Sequence, residues 1–294
     1  KSWAEIHAAL RNFLSHGNHG WKQPDEELKP RYNQAPQQMA PIVVRDDGIG
    51  DLLMGVSAFK NLRDHYPDRK LVLLTYERNM EMMEGFGIFD EILPIPDGMK
   101  YAPLPIPTRG TTVYNFIDLE MQFGPTLAKS KEANKINRHL AFARAMALDQ
   151  KYQRLPMPEY PKAKESVLKI LNDRHVDPRQ NFVVLNFLAT NPARSWWEPY
   201  YAEFIAAVEF MGFVPLILGP RNSIHFRGRK TVNLAGKTKT VTEYIEAVKL
   251  GKYVVSTDTS ACHIAALTGI PFLAIFTGGI LPQSRLSYYS KYEV

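Results

Sequence analysis

The sequence predicts an α/β protein of two strand–helix units with parallel sheets, and three observations carry that prediction. Short apolar runs recur at PIVVR (41–45), KLVLLT (70–75), NFVVLNFL (181–188), VPLIL (214–218) and FLAIF (272–276), each bounded by polar or Gly/Pro-bearing turns. Segments with apolar residues at helical spacing stand between them. A stretch with three prolines, YQRLPMPEYPK (152–162), divides the chain near its middle and reads as an interdomain linker.

Composition agrees. A chain of 294 residues suits two domains, and 45% hydrophobic with 11% aromatic residues supports cores without staples. Cys262 is the only cysteine, so no intramolecular disulfide forms; its place in a helix start reads as a small packed residue in a reducing, cytoplasmic compartment. No apolar run approaches the roughly 20 residues that span a bilayer, and no signal-peptide pattern opens the chain, which begins on Lys1 as a trimmed chain would. The net charge of +6 is uneven: Arg221 to Thr242 holds six basic residues and no acidic ones. A solvated loop is the ordinary reading. The functional readings are a phosphate-rich donor, an anionic glycolipid acceptor at a membrane surface, or nucleic acid.

In chain order, residues 2–13 carry Trp3, Ile6, Ala9, Leu10 and Phe13 at helical spacing, and 16–40 form a polar connector with Pro24, Pro30 and Pro36. After the first strand, Gly48 and Gly50 permit a turn, and Leu52, Leu53, Val56, Phe59 and Leu62 give a helix its apolar face. Asp51 opens that helix, as a first-turn carboxylate favoured by the dipole or as a general base facing a cleft. The third glycine of a dinucleotide-binding fingerprint is missing. A strand (70–75), a helix (79–85), a strand (91–95), a proline-rich loop (94–107) and a strand (111–117) follow. Asp118 and Glu120 end that last strand at its carboxyl side, where ligand sites of open sheets lie. A helix over 134–148 closes the first half.

The second half opens with a helix (163–175) and the strand 181–188. Its loop carries Thr190 and Arg194, and a helix from Glu198 turns Tyr201, Phe204, Ile205 and Val208 inward; core packing is the expectation for Trp196 and Trp197. LAGKT (234–238) lacks the earlier glycine of a phosphate loop and leads into a helix over 241–250. The last unit, Gly251 to Gly279, is a strand, the polar knot Ser256 to Ser260, a helix, and a strand. A helix start offers unpaired N–H groups and partial positive charge, which suits a phosphate. Thr259 and Ser260 can cap it or bind ligand oxygens, Asp258 could hold sugar hydroxyls, and His263 could donate to a phosphate oxygen.

Residues 258–271 resemble a signature of glycosyltransferase family 9, the bacterial heptosyltransferase family, with Ser260 where glycine is usual. Gly50, Asp51 and Leu53, with Arg63, Tyr66 and Pro67, are similar to a second family stretch; Arg194, Trp196 and Tyr201 are similar to a third, with Arg194 in a lysine position. LAGKT is similar to a turn bordering the nucleotide base. The resemblance spans Pro41 to Gly279 and implies a GT-B fold: two Rossmann-like domains with parallel sheets facing across a cleft. The expected division is an extension (1–40), an acceptor domain (41–158) and a nucleotide-sugar domain (159–294). Relatives continue into helices that cross back to the first domain, so the chain is expected to be truncated or a minimal variant.

The implied activity is metal-independent, inverting transfer of a heptose-like or hexose sugar to a glycan or glycolipid hydroxyl. Asp51 is then the catalytic base; Thr190, Arg194, Asp258, Thr259, Ser260 and His263 bind the donor; Gly50, Asp118 and Glu120 lie on the acceptor side. No cofactor is expected beyond the nucleotide-sugar donor, with an ADP-linked sugar favoured. Lipopolysaccharide synthesis at the inner membrane face, with peripheral membrane contact, is the implied setting. Two alternatives stay open: a GT-B enzyme acting on modified bases in DNA, and a non-catalytic sugar-nucleotide-binding module.

Overall fold

The computed structural model describes residues 41–45, 48–95, 115–118, 137–146, 148, 151, 153–220, 228–277 and 282–286. The helix over 2–13, the connector, nearly all of the proline-rich loop, Glu120, Arg221 and Arg227 lie outside them, as does the side chain of Asp118.

The first lobe contains β1 (Pro41–Val44), α1 (Ile49–His65), β2 (Val72–Tyr76), α2 (Glu77–Gly85), β3 (Glu91–Ile95), β4 (Asn115–Asp118) and α3 (Arg138–Ala145). The second contains α4 (Pro161–Asn172), β5 (Phe182–Asn186), α5 (Tyr201–Phe210), β6 (Val214–Ile217), β7 (Val232–Asn233), α6 (Val241–Lys249), β8 (Gly251–Thr257), α7 (Ser260–Thr268), β9 (Phe272–Ile275) and the short α8 (Pro282–Arg285). Strand order is β3-β2-β1-β4 in one sheet and β7-β6-β5-β8-β9 in the other, and every pairing is parallel. β2 and β5 are buried along their whole length, as strands covered on both faces by helices must be.

These orders locate the site. The chain steps from β1 outward to β3 and returns on β1's other side as β4; it steps from β5 to β7 and returns as β8. Each sheet therefore has a switch point, where flanking connections leave in opposite directions and open a crevice at the carboxyl ends.

The elements start where local chemistry allows. α4 begins at Pro161, whose missing N–H costs nothing in a first turn. A single 3₁₀ turn, Glu198–Tyr200, precedes α5. Tyr201, Ile205 and Val208 are buried as the spacing predicts. Trp196 packs edge-on against Phe187 at 5.1 Å. Trp197 departs from the core-packing expectation: it is 64% exposed, because it precedes α5 and lies off that helix's buried face.

Within the three-proline stretch Met157 and Tyr160 are buried, while Pro156, Glu159 and Pro161 stay exposed. Met157 and Tyr160 belong to one apolar core that runs from Leu52 and Phe59 in the first lobe to Ile245 and Ile264 in the second. Met157 N donates to the Leu267 carbonyl (3.2 Å), and the Tyr160 hydroxyl to the Met82 carbonyl (2.8 Å). Gly85 makes room for that ring: a Cβ there would fall 2.7 Å from a Tyr160 ring carbon. α8 also returns to the first lobe, with Leu286 buried in the shared core. Cys262 is buried, and burial pushes its thiol up to about 12, as a packed rather than reactive cysteine requires. Among the described residues no helix is long and apolar enough to cross a membrane.

Candidate active site

Asp51 stands in the first turn of α1, whose cap, Gly48, contributes no side chain. Arg45, at the carboxyl end of β1, approaches Asp51 Oδ1 at 3.5 Å, and Arg285 donates to the same oxygen from α8 at 3.3 Å. The Arg45 guanidinium also lies 5.0 Å over the Phe142 ring. Burial by itself would raise the Asp51 pKa. The charges of Arg45, Arg285 and Arg138, with His263 beside them, outweigh burial and hold the carboxyl below its usual range.

The second lobe supplies the opposing wall from its own switch point. Asp258, at the end of β8, is 5% exposed and accepts from Arg194 Nη1 at 3.2 Å; the same nitrogen reaches the Asp258 carbonyl at 3.3 Å. Arg194 is fixed by a 3₁₀ turn, Pro192–Arg194, that Asn191 caps by accepting from Ala193 N. Thr259 is the cap of α7 and accepts from Ala261 N at 3.3 Å.

The two walls meet where Gly50 faces α7. A Cβ at Gly50 would sit 3.0 Å from His263 Cδ2 and 3.5 Å from the Ser260 Cα, so the absent side chain lets the two helix starts approach. His263 is 3% exposed, and burial, reinforced by Arg285, lowers its pKa from 6.5 to about 4 against the pull of Asp258 and Asp51. The imidazole is neutral at pH 7, a donor at one nitrogen and an acceptor at the other. Its unfolded counterpart takes a proton near 6.5 and the folded one only near 4, so its share of stability is intact above 6.5 and is lost as pH falls through that window. Urea midpoints between pH 7 and 4 are expected to fall more steeply for the wild type than for His263→Gln; parallel profiles would sink this account.

Between the walls lies a cleft of about 650 Å³. Gly50, Asp51 and Arg78 line it from the first lobe; Thr190, Arg194, Asp258, Thr259, Ser260 and His263 line it from the second. The structure thus brings together every donor-side residue expected from the sequence, and Gly50 and Asp51. Asp118 ends β4 in register with Val44 of β1.

Four residues that line the cleft, Arg78, Asn186, Tyr244 and Arg285, and Arg45 behind Asp51 are not among the candidates that the sequence offers. Arg45 and Asn186 had a signal, each being a polar residue at the end of an apolar strand. Tyr244 stands in the helix read over 241–250, where nothing marks it as a ligand residue; Arg78 and Arg285 likewise carry no local mark, and only tertiary folding brings the three here. Among the described residues no group of three or more His, Cys, Asp or Glu could hold a metal ion.

Comparison with known proteins agrees with this geometry. The sequence profile of glycosyltransferase family 9 (heptosyltransferase) matches residues 88–280, which takes in Arg194 and the whole 258–271 segment and leaves Asp51 tied to the site by geometry. A sequence comparison with curated proteins finds no significant match. Among solved structures, the glycosyl transferase family 9 protein of Veillonella parvula superposes with a TM-score of 0.68 at 12% identity, over 88% of this chain and 90% of that one. The E. coli ADP-heptose lps heptosyltransferase II gives 0.65 at 15%, over 87% and 90%. The E. coli heptosyltransferase WaaC, solved with ADP, gives 0.54 at 14%, over 83% and 92%. At such identities these likenesses speak to fold, and the fold is GT-B: two parallel-sheet lobes facing across a cleft. The profile covers well over half of the chain, so this protein belongs to glycosyltransferase family 9, the heptosyltransferase family, and is a nucleotide-sugar-dependent glycosyltransferase.

Proposed function

We propose that the protein transfers a heptose or hexose from a nucleoside-diphosphate donor, ADP-linked by preference, to a hydroxyl of an anionic glycan or glycolipid, with inversion and without a metal ion. The observation that carries the reading is the shared cleft, with Asp51 on one wall and Arg194 and the α7 start on the other. A base on one lobe and a leaving-group site on the other are compatible with attack and departure on opposite faces of the sugar, as inversion by direct displacement requires.

Residues 41–158 hold the acceptor and 159–294 the donor. The shortest contacts of Arg45 and Arg285 fall on Asp51 Oδ1, and we assign Oδ2 as the oxygen that takes the acceptor proton. The arginine clamp lowers basicity but keeps the carboxylate ionised and oriented. Arg194, whose Nη1 is committed to Asp258, offers its remaining N–H edge to the departing diphosphate, and the α7 dipole and the neutral His263 add donors. Arg45, Arg78, Arg194 and Arg285 outnumber Asp51 and Asp258 around the cleft, a balance suited to a diphosphate and an anionic acceptor. An acceptor of that kind places the enzyme at the inner face of a membrane. ADP as donor nucleotide is also in keeping with WaaC, whose solved structure contains ADP.

Calorimetric titration of ADP, UDP, GDP and CDP in metal-free buffer tests the donor half of the proposal. One nucleotide is expected to bind well ahead of the others; binding of none would sink it.

A further inference from the structure

Beneath the α7 start lies a polar cluster that the transfer scheme above does not use. Asn186, at the end of β5, is 3% exposed. Its Nδ2 donates to the Tyr244 hydroxyl at 3.0 Å and to Thr259 Oγ1 at 2.9 Å, which uses both amide hydrogens. Its Oδ1 is buried and has no hydrogen-bond partner among the described residues.

Thr259 is saturated. Its oxygen accepts from Asn186 and from Ala261 N, and it lies 2.8 Å from Ser256 Oγ. Ser256 gives its own proton to the Thr257 carbonyl at 2.8 Å, so the Thr259 proton goes to Ser256. No hydrogen or lone pair of that side chain is left for a ligand. Of the residues expected to bind donor oxygens here, Thr259 therefore contributes its cap and not its hydroxyl.

Tyr244 differs. It lines the cleft from α6, with its hydroxyl beside Asn186, Thr259 and Ser260. Asn186 donates to that hydroxyl, and the Ser260 side chain hydrogen-bonds to it in the pKa-lowering sense of a donor, so the phenolic oxygen's acceptor positions are taken and its own proton points away from Asn186, Thr259 and Ser260. Burial pushes the phenol pKa above its ordinary value, so the proton is present at neutral pH.

We propose that Tyr244 is a donor-binding residue: its hydroxyl donates to a phosphate oxygen of the nucleoside diphosphate seated at the α7 start, in the orientation that Asn186 holds. The assignment rests on the donor-site reading above and adds a side-chain contact to it. The open Asn186 Oδ1 marks the cluster as incomplete, an acceptor that a ligand hydroxyl or a water carried with the ligand completes. A hydroxyl-to-phosphate bond is a charge-assisted contact, and losing one lowers affinity by about ten-fold or more.

The test compares wild type, Tyr244→Phe and Asn186→Ala for ADP and UDP by calorimetry, and for inorganic pyrophosphate by displacement of the bound nucleotide. Tyr244→Phe keeps the ring, so its melting temperature is expected to match the wild type while nucleotide and pyrophosphate affinities both fall about ten-fold. Asn186→Ala is expected to lose part of the same affinity by releasing the hydroxyl. Unchanged affinity in Tyr244→Phe overturns the assignment, as does a loss for nucleotide with none for pyrophosphate, which would put the contact on base or ribose. Wild type that binds neither nucleotide nor pyrophosphate overturns the donor-site reading itself, and is distinguished from these by its own titration.

Discussion

Asp51→Asn is expected to lower the transfer rate by a factor of about 10² to 10⁴ while leaving the donor dissociation constant within about two-fold of wild type. The side chain keeps its shape, so Gly48 and Gly50 at the start of α1 are undisturbed. What it loses is the lone pair that accepts the acceptor proton. Arg45 and Arg285 then face a neutral amide, and their charges still suit the anionic substrates. The measurement is steady-state transfer at saturating donor, with donor affinity by calorimetry on the same preparation. A variant that keeps full activity would remove Asp51 from the mechanism, and one that also loses donor affinity would mean that the carboxylate supports the donor wall instead.

Arg194→Ala carries the second large effect, and it has two parts. Removing a guanidinium that meets a diphosphate weakens donor affinity by about 1.5–3 kcal/mol, roughly ten- to a hundred-fold. Asp258, nearly buried, also loses its ion-pair partner. The full cost of an orphaned buried carboxylate is about 3–5 kcal/mol. Arg194 keeps 27% of its side chain exposed, so solvent screens the pair and about 1–2 kcal/mol of stability is the expected loss. Arg194→Lys separates the parts. It restores the charge without the fork, so stability should largely return while donor affinity stays below wild type. Equal donor affinity in wild type and Arg194→Ala would rule out the phosphate role.

Much of this architecture was legible because parallel strands and their helices announce themselves by period. Val183, Val184 and Leu185 read as a buried strand and are one, while of the small polar residues after Val255 the strand keeps Ser256 and Thr257, and only Asp258 and Thr259 turn the chain into the helix. The donor wall was legible for the same reason, being one contiguous strand–turn–helix segment. The Asp51 clamp was not. Arg285 stands 234 positions from Asp51, and nothing in its own segment says which carboxylate it meets. The two tryptophans show another limit. Adjacent residues at a helix entrance face opposite ways, so Trp196 finds Phe187 while Trp197 meets solvent, and composition cannot tell them apart. Proline content likewise reports a lack of donors and says nothing of the residues between the prolines, which is how Met157 and Tyr160 anchor in the core from a stretch whose Pro156 and Pro161 are exposed.

That anchored stretch bears on how enzymes of this kind can be recombined. Tyr160 fills the space that Gly85 leaves and holds the end of α2 through Met82. A chimera spliced at the proline stretch would take one half of this lock from each parent, so a donor lobe from a relative arrives without the socket its tyrosine needs. Exchanging the loop between Leu188 and Glu198 within an intact chain leaves the lock whole.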